Sequence, residues 1–532
     1  MIRPVRGAQS ANQQIAGAAG TVMIAFIISN LVGLVRGMVI TDVFGTSAEL
    51  DSFNAANRIA ELLFNIVAGG ALGSAFIPSF TGFLTKDDHA GAWRLASGVI
   101  NLVFLALVLI SMLAWVFAPQ IVREGLFLLV PETDPVQEAL TISLLRIMLP
   151  SVVIFGISGL VMGILNAHQV FLVPSIAPAM YSLGMILGTW LLPETWGIRR
   201  LAFGVVGGAL LHLLVQLPRV WRLQERAYHL YFGLRDRAVL RVFRLMGPRL
   251  LGVAVVQLNF IVNTIIALGQ PEGSVSAITL AFALMLMPQQ AVAQSAAIAS
   301  LPTFSAQVAL GKLDEMRSSL ASTLRAVLIL AIPASVGLIL LRTPLVVLLY
   351  QRGEFTSRST ELVAWALLWY AAGLVGHALV EILSRAFYAL HDTRTPVTVG
   401  VIAMGLNIGF SLLFANLFER IGWMPHGGLA LANSLATGLE SVALIVLMHR
   451  RLKGLEGGYV WKGVGISILG TGLMAAVVLG WRAMFGGGSR IVELLGALGV
   501  GIVAYVGLLW ALKMPELRGM VRVLVSRIKR HE

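Results

Sequence analysis

The chain has 532 residues, 57% hydrophobic and only 12% charged, with a formal net charge of +13, no cysteine and a mean hydropathy of +0.85. Soluble domains carry about a quarter charged residues, so this composition excludes an ordinary soluble fold. The absence of cysteine excludes disulfides, thiol catalysis and zinc–thiolate sites, and in a membrane protein the basic excess reads as cytoplasmic loop charge rather than as a nucleic-acid surface.

Apolar runs of roughly 20 residues, enough to span a bilayer as a helix, recur along the whole chain. About fourteen spans are expected: 15–41, 52–83, 93–118, 137–165, 170–192, 201–219, 242–269, 274–306, 320–341, 360–390, 395–418, 426–449, 462–485 and 490–512. The short alternating segments of a membrane β-barrel are absent, so the fold class is an all-α polytopic membrane protein. The first run is too long for the apolar part of a signal peptide and lacks a clear cleavage site, so it reads as a retained span. No loop is long enough for a separate soluble domain. Placing both termini in the cytoplasm puts Arg3, Arg6, the run from Arg219 to Arg244, Arg450, Arg451, Lys453, Lys462 and the tail from Arg518 to Arg530 inside, as the positive-inside rule expects. The acidic segment PETDPVQE, 131–138, then falls outside. Two basic segments are amphipathic, one joining spans six and seven and one ending the chain. Each suits either the surface of the cytoplasmic leaflet or a solvated connector.

An internal repeat runs through these spans. AFIPSF closes span two and ASLPTF closes span eight, with Pro78 and Pro302 lying 224 residues apart. Gly45 and Gly269 keep the same offset, and Asn65 then matches Gln289. The expected organisation is an N-terminal lobe of six spans (1–222), an amphipathic cytoplasmic linker (223–241), a second six-span lobe (242–450), and two extra spans with a basic tail (451–532). Six spans per half keep both halves in one orientation. Parallel repeats of this kind carry their substrate between the halves near the midplane.

Span two is unusual. Asp51, Asn54, Arg58, Glu61 and Asn65 step by three or four residues and form one helical stripe, with Asn57 beside it. A charge at the bilayer centre costs about 2.5–3.5 kcal/mol on insertion scales. The stripe therefore faces protein or a water-filled cavity. Two explanations fit. Arg58 and Glu61 at i, i+3 can neutralise each other in a packed interior, or the stripe is a cavity wall that receives a polar, anionic ligand. Further polar residues inside spans support a cavity: Arg36 in span one; Arg249, Gln257, Asn259 and Asn263 in span seven; Gln289, Gln290 and Gln294 in span eight; His377, Glu381 and Arg385 in span ten; and Asn407 in span eleven. The Glu381–Arg385 pair can also be self-neutralised, and His377 alone reads first as a packed histidine. No Walker A loop, H-E-x-x-H or G-x-S-x-G is present, so neither an ATPase nor a hydrolase is indicated.

The segments SNLVGLVR, VFGTSAELDSFNAA and GALGSAFIPSF in the first two spans resemble the MurJ (MviN) family of lipid II flippases in the MOP exporter superfamily. MGPRLLGVAVVQLNFIVNT (246–264), GSVS (273–276), LLYQRGEFT (348–356) and AFYALHDTRTPV (386–397) extend the resemblance over most of the chain. It implies two six-helix lobes plus two C-terminal helices. It also implies a bacterial inner-membrane transporter, not an enzyme, that moves undecaprenyl-diphosphate-linked peptidoglycan precursor to the outer leaflet by alternating access. No cofactor or ATP is expected, the drive being an ion gradient or the membrane potential, and the partners are lipid II and membrane lipids around a monomer. Arg36, Asp51 and Arg58 match family positions. Asn30, Phe64, Ala283 and Leu286 stand where the family has charges. These departures keep other cargoes open: an O-antigen or capsule unit on the same type of lipid, a small molecule as in related exporters, or no cargo at all in a membrane scaffold. The two extra spans argue against a soluble cargo, and the retained charges argue against an idle scaffold. A lipid-modifying enzyme is the weakest alternative.

Overall fold

The computed structural model describes residues 11–67, 71–130, 134–223, 227–486 and 488–514, without the side chains of 11–24, 26, 66, 67, 71–74, 248, 249, 251 and 252. The terminal arginines, residues 131–133 of the acidic segment and the C-terminal amphipathic tail therefore lie outside the described residues. Every regular element among the described residues is helical.

The first half contains α1 (Ala11–Phe44), α2 (Ala48–Val67), α3 (Ala71–Leu84), α4 (His89–Val116), the single turn α5 (Ala118–Gln120), α6 (Pro135–Ala167), α7 (Leu172–Leu191), α8 (Arg199–Leu214), the short α9 (Leu217–Trp221) and α10 (Arg237–Leu268). A π-helical turn, Ile121–Leu126, follows α5. The second half contains α11 (Ser274–Gln289), α12 (Ser295–Ala309), α13 (Leu313–Tyr350), α14 (Ser357–Ala372), α15 (Leu374–Ala389), α16 (Arg394–Arg420), α17 (His426–Arg451), α18 (Gly457–Phe485) and α19 (Arg490–Ala511).

The loops start several helices with side-chain caps that satisfy orphan N–H groups. Asp88 accepts from the Gly91 N–H at 2.8 Å, Asp134 from Val136 at 2.9 Å with Pro135 opening α6, and Asp236 from Ala238 at 2.8 Å. In the turn before α16, Asp392 accepts from both the backbone N–H and the hydroxyl of Thr395, which holds its carboxyl below the usual carboxylate range.

All fourteen expected spans fall on helices or helix pairs. Eleven helices are long and apolar enough to cross a membrane, and the α14–α15 pair, bent by 46° at Gly373, makes a twelfth. The other two expected spans are α2–α3 and α10. The first of these carries Glu49, Asp51, Arg58 and Glu61 on α2 ahead of the apolar stretch Ala75–Leu84, and the second contains the apolar stretch Val253–Leu268. Expected span eight is broken too: Gln290–Gln294 form a π-helical turn between α11 and α12, just after Pro288. A π turn is a frequent device where helical hydrogen bonding is interrupted.

Two compact units divide the chain at Gly269 and Gln270. In the first, α6 is the central post, packing on α2, α3, α4 and α8, while α7 pairs with α8 and with α1. In the second, α15 takes the equivalent role, packing on α12, α13 and α17, and α16 pairs with α17. The helix order of the repeat is thus reproduced inside each unit. The two extra helices α18 and α19 pack on α13. Three polar clamps hold them there. Arg325 stacks 4.2 Å from the Tyr459 ring, Tyr505 bridges Ser467 and the Ile329 carbonyl, and Arg482 joins Glu493 to the Leu340 carbonyl.

The first unit extends beyond the expected boundary at 223–241. α10 packs on α2 and α3 and belongs with them. The linker before it is outside the described residues at 224–226, and its next part, 227–233, forms no helix but lies along α4. Asn101 donates to the carbonyls of His229 (3.2 Å) and Tyr231 (3.0 Å), Ser97 accepts from the His229 N–H (3.0 Å), and Arg94 donates to the Tyr231 hydroxyl (3.0 Å).

Glycine sets the closest helix approach. A Cβ on Gly184 would overlap the Gly208 Cα, and one on Gly188 would overlap the Gly204 Cα, so α7 and α8 meet backbone to backbone. Small residues are the usual means of such approach in membranes. Gly184→Leu is expected to lower stability by about 1–3 kcal/mol or more, read as a fall in the melting temperature of the detergent-solubilised protein. Gly207→Leu, where a Cβ meets nothing, should melt close to the parent.

Candidate functional site

The stripe of α2 forms one polar wall inside the first unit. Its residues step along the helix because α2 is regular from Ala48 to Val67. Asp51 is buried near the start and Asn54 is half-buried one turn on. Glu61 is the hub. It accepts from the Arg58 guanidinium at 2.8 Å and from the Asn57 amide at 2.9 Å, and its backbone carbonyl accepts from Asn65 at 2.8 Å. Arg58 also lies 4.9 Å from the centre of the Phe260 ring on α10, a cation–π contact. One turn further along α10, Asn263 donates to the carbonyl and side-chain oxygens of Asn259. α2 and α10 pack together, with the stripe's Arg58 on the Phe260 ring and the amide pair of α10 one turn beyond it. Arg249 also falls on α10, but its side chain lies outside the described residues.

Arg36 on α1 belongs to the same region by a different route. Its guanidinium reaches Ser182 Oγ at 3.4 Å and Met185 Sδ at 3.9 Å, and it sits 5.9 Å from the Tyr181 ring, all on α7. Tyr181 is within electrostatic reach of both Arg36 and Glu61, and so lies between one cation and the carboxylate that pairs with the other. No carboxylate forms a salt bridge with Arg36 among the described residues. Arg58 is neutralised by Glu61, and in the second unit Arg385 is neutralised by Glu381 at 2.9 Å. Among the candidate arginines with described side chains, Arg36 is therefore the one whose charge is balanced by dipoles and an aromatic face rather than by a carboxylate.

Second-unit residues are arranged otherwise. Gln289 is half-buried at the end of α11, beside the π turn that begins at Gln290. Arg385 lies 5.9 Å from the Tyr388 ring, and Glu440 of α17 is within reach of the same tyrosine. His377 hydrogen-bonds Asn433 at 3.0 Å and packs against Phe282. Among the described residues, no group of three or more histidines or carboxylates is placed to hold a metal ion.

The positions that depart from the resemblance have plain surroundings. Phe64 packs 5.7 Å from Phe155, which in turn meets Tyr181 and His212. An aromatic string thus stands where the resemblance implies a cation. Asn30 and Ala283 are exposed and Leu286 is half-buried.

Sequence reasoning missed Tyr181, Glu440 and a buried network around His212. His212 Nδ1 lies 2.6 Å from Ser158 Oγ, and Gln216 donates to the same hydroxyl at 2.8 Å. The signal was present as His212 and Gln216 at i, i+4 in the apolar run GALLHLLVQ, 208–216. The pair Ser158–His212 and the pair His377–Asn433 lie at offsets of 219 and 221 residues, on equivalent helices of the two units. Each unit therefore joins the same two helices by one imidazole, carried on the opposite partner.

A double-mutant cycle distinguishes packing from function in the Arg58–Glu61 pair. The side chains are 25% and 42% exposed, and such pairs contribute about 0–1 kcal/mol. Arg58→Met and Glu61→Gln should couple by less than ~1 kcal/mol in unfolding. A coupling above ~2 kcal/mol would make the pair a structural bond.

The sequence profile of the family described as lipid II flippase MurJ matches residues 40–495. The lipid II flippase MurJ of Burkholderia cenocepacia is 31% identical over 470 residues, covering 86% of this chain and 88% of that one. A protein of Vibrio cholerae described as a probable lipid II flippase MurJ is 30% identical over 505 residues, covering 91% and 93%. A solved lipid II flippase MurJ in an inward closed conformation shares the fold with a TM-score of 0.77 at 24% identity, covering 92% of this chain and 97% of that one. An inward-facing multidrug resistance MATE family transporter of the MOP superfamily follows at 0.68 and 15%, covering 82% and 99%. The polar wall, the twofold helix order and these matches together make this chain a member of the MurJ lipid II flippase family, a family of transporters rather than enzymes.

Proposed function

We propose that this chain carries lipid II, the polyprenyl-diphosphate-linked peptidoglycan precursor, from the inner to the outer leaflet of a bacterial inner membrane by alternating access. Both termini lie in the cytoplasm in this proposal. The observation that carries it is the family match over residues 40–495. The polar wall of the first unit supplies the chemistry such a cargo needs. A diphosphate enters hydrocarbon only if hydrogen bonds and cations replace its water. Guanidinium is the side chain best suited to bidentate phosphate contact.

Arg36 takes the first phosphate contact in this proposal, because its charge faces no carboxylate among the described residues. Arg58 follows when the diphosphate displaces Glu61 from it. Asn54 and Asn65 supply neutral hydrogen bonds along the same stripe, and Asp51 anchors its start. No step needs ATP or a bound cofactor. The coupling is assigned to the membrane potential or an ion gradient.

A second reading keeps the mechanism and changes the glycan. Phe64, Ala283 and Leu286 remove charges that the family resemblance implies, and a less cationic path suits a head group with fewer anionic groups than the lipid II peptide brings. Depletion of the endogenous flippase in a bacterium expressing this chain separates the two. Lipid II exposure on the outer leaflet should be restored. Arg36→Ala should reduce it by roughly tenfold or more, since a charged hydrogen bond contributes about 1.5–3 kcal/mol; Arg36→Lys should recover part of the loss. No restoration despite normal membrane expression would reject lipid II as the cargo and favour the second reading.

A further inference from the structure

A second cluster of arginines lies away from the polar wall. At the Val116 end of the α4–α6 pair, a cavity of about 560 Å³ is lined by Trp115 and Pro119, by Arg123 of the π turn, and by Ser143, Arg146 and their apolar neighbours on α6. It shares no residue with the stripe or with the contacts of Arg36. We propose that this cavity seats the phosphate of an anionic glycerophospholipid, whose acyl chains lie along the exposed apolar face of α4.

Charge is the first argument. Arg146 donates through Nε to the Trp115 carbonyl at 3.1 Å, and its guanidinium lies 4.6 Å from the Trp115 ring centre. These two contacts fix the group but use only one of its five N–H donors. No salt bridge neutralises it among the described residues. Arg123 is a second guanidinium in the lining, paired with Glu138. Arg199 donates to Ser143 Oγ at 3.4 Å, a hydroxyl that also lines the cavity. Two guanidiniums thus line one cavity and a third reaches a hydroxyl in its wall, and among the described residues a carboxylate, Glu138, pairs with one of them, Arg123. That balance calls for an anion.

The surroundings decide which anion. Leu109, Met112, Leu113, Val116 and Phe117 of this end of α4 and the turn after it are all half or more exposed. In a helix that crosses a bilayer, such a face meets acyl chains, not water. Trp115 and Trp190 lie near the ends of α4 and α7, and Trp196 in the turn before α8, 51%, 62% and 43% exposed. Exposed tryptophans mark the level of lipid head groups. A ligand at this level with apolar surface below it carries its charge on a head group and its tails in hydrocarbon. Guanidinium matches phosphate oxygens in pairs, and stacking on Trp115 holds the fork in place before the lipid arrives. The volume also falls in the range of ligand pockets rather than of an ion or a water.

The test uses the full chain purified in detergent. Native mass spectrometry would count bound lipid after addition of phosphatidylglycerol or of phosphatidylcholine, which share a glycerophosphate but differ in net charge. The parent should retain phosphatidylglycerol about tenfold better than phosphatidylcholine. Arg146→Gln should bring that ratio close to one, Arg123→Gln should lower it partly, and Arg146→Lys should fall between the parent and the glutamine variant. Inorganic phosphate alone, at millimolar concentration, should displace little of the bound phosphatidylglycerol. An unchanged ratio in Arg146→Gln, or in Arg146→Lys and Arg123→Gln together should the glutamine variant fail to fold, would overturn the proposal. So would full displacement by inorganic phosphate, which would make this an anion site without a lipid. Restoration of lipid II exposure is a separate readout, so either outcome leaves the flipping assignment to its own test.

Discussion

Charge placed in hydrocarbon must be compensated within the protein, because no water is there to do it. That constraint organises the first unit. α2 can hold Asp51, Arg58 and Glu61 only because each finds protein around it: Glu61 gathers Arg58 and Asn57, and Phe260 covers the guanidinium. α10 packs on α2 and carries its own amide pair, bonded within the helix.

The same rule accounts for features that have no contact with the wall. The extra helices α18 and α19 carry Arg482 and Glu493 and tie them to each other and to an α13 carbonyl. Each unit uses one imidazole to join an equivalent pair of helices, with Ser158 as the partner in one and Asn433 in the other. Conserving the joint while exchanging which helix carries the ring is what independent drift of two copied halves would leave. A polar bond between two helices constrains the pair, and either member can supply the ring.

Most of the fold was legible because membrane insertion writes itself into composition. Runs of about 20 apolar residues give spans with little ambiguity, and the offset of Pro78 and Pro302 anticipates the matching helix order of the two units. The stripe of α2 was legible because regular helical spacing carries residues 51, 54, 58, 61 and 65 to one face. What was not legible required a partner far away in sequence. Tyr181 becomes informative only when α1 and α7 are packed, since nothing local marks it as the residue between Arg36 and Glu61. His212 sat in an apolar run and looked like a lone polar residue until α6 brought Ser158 to it. The 223–241 segment has the composition of a surface amphipathic stretch. Its described part instead follows α4, because Asn101 and Ser97 offer it an edge of hydrogen bonds that composition cannot reveal. The unit boundary after α10 escaped for a similar reason: it depends on which neighbours a helix chooses, not on where a linker is longest.

The glycine contact between α7 and α8 has a consequence for Arg36 some distance from it. Ser182 and Met185, the residues that hold its guanidinium, flank Gly184. Backbone-to-backbone contact leaves α7 little freedom to slide or roll, so the groups that receive Arg36 are fixed before any ligand arrives. The entropy of arranging them is then spent during folding rather than during each transport cycle, and a site organised in advance binds with less loss. Four glycines away from Arg36 thereby bear on the phosphate contact proposed for it, and a methyl group added among them would register there as well as in looser packing.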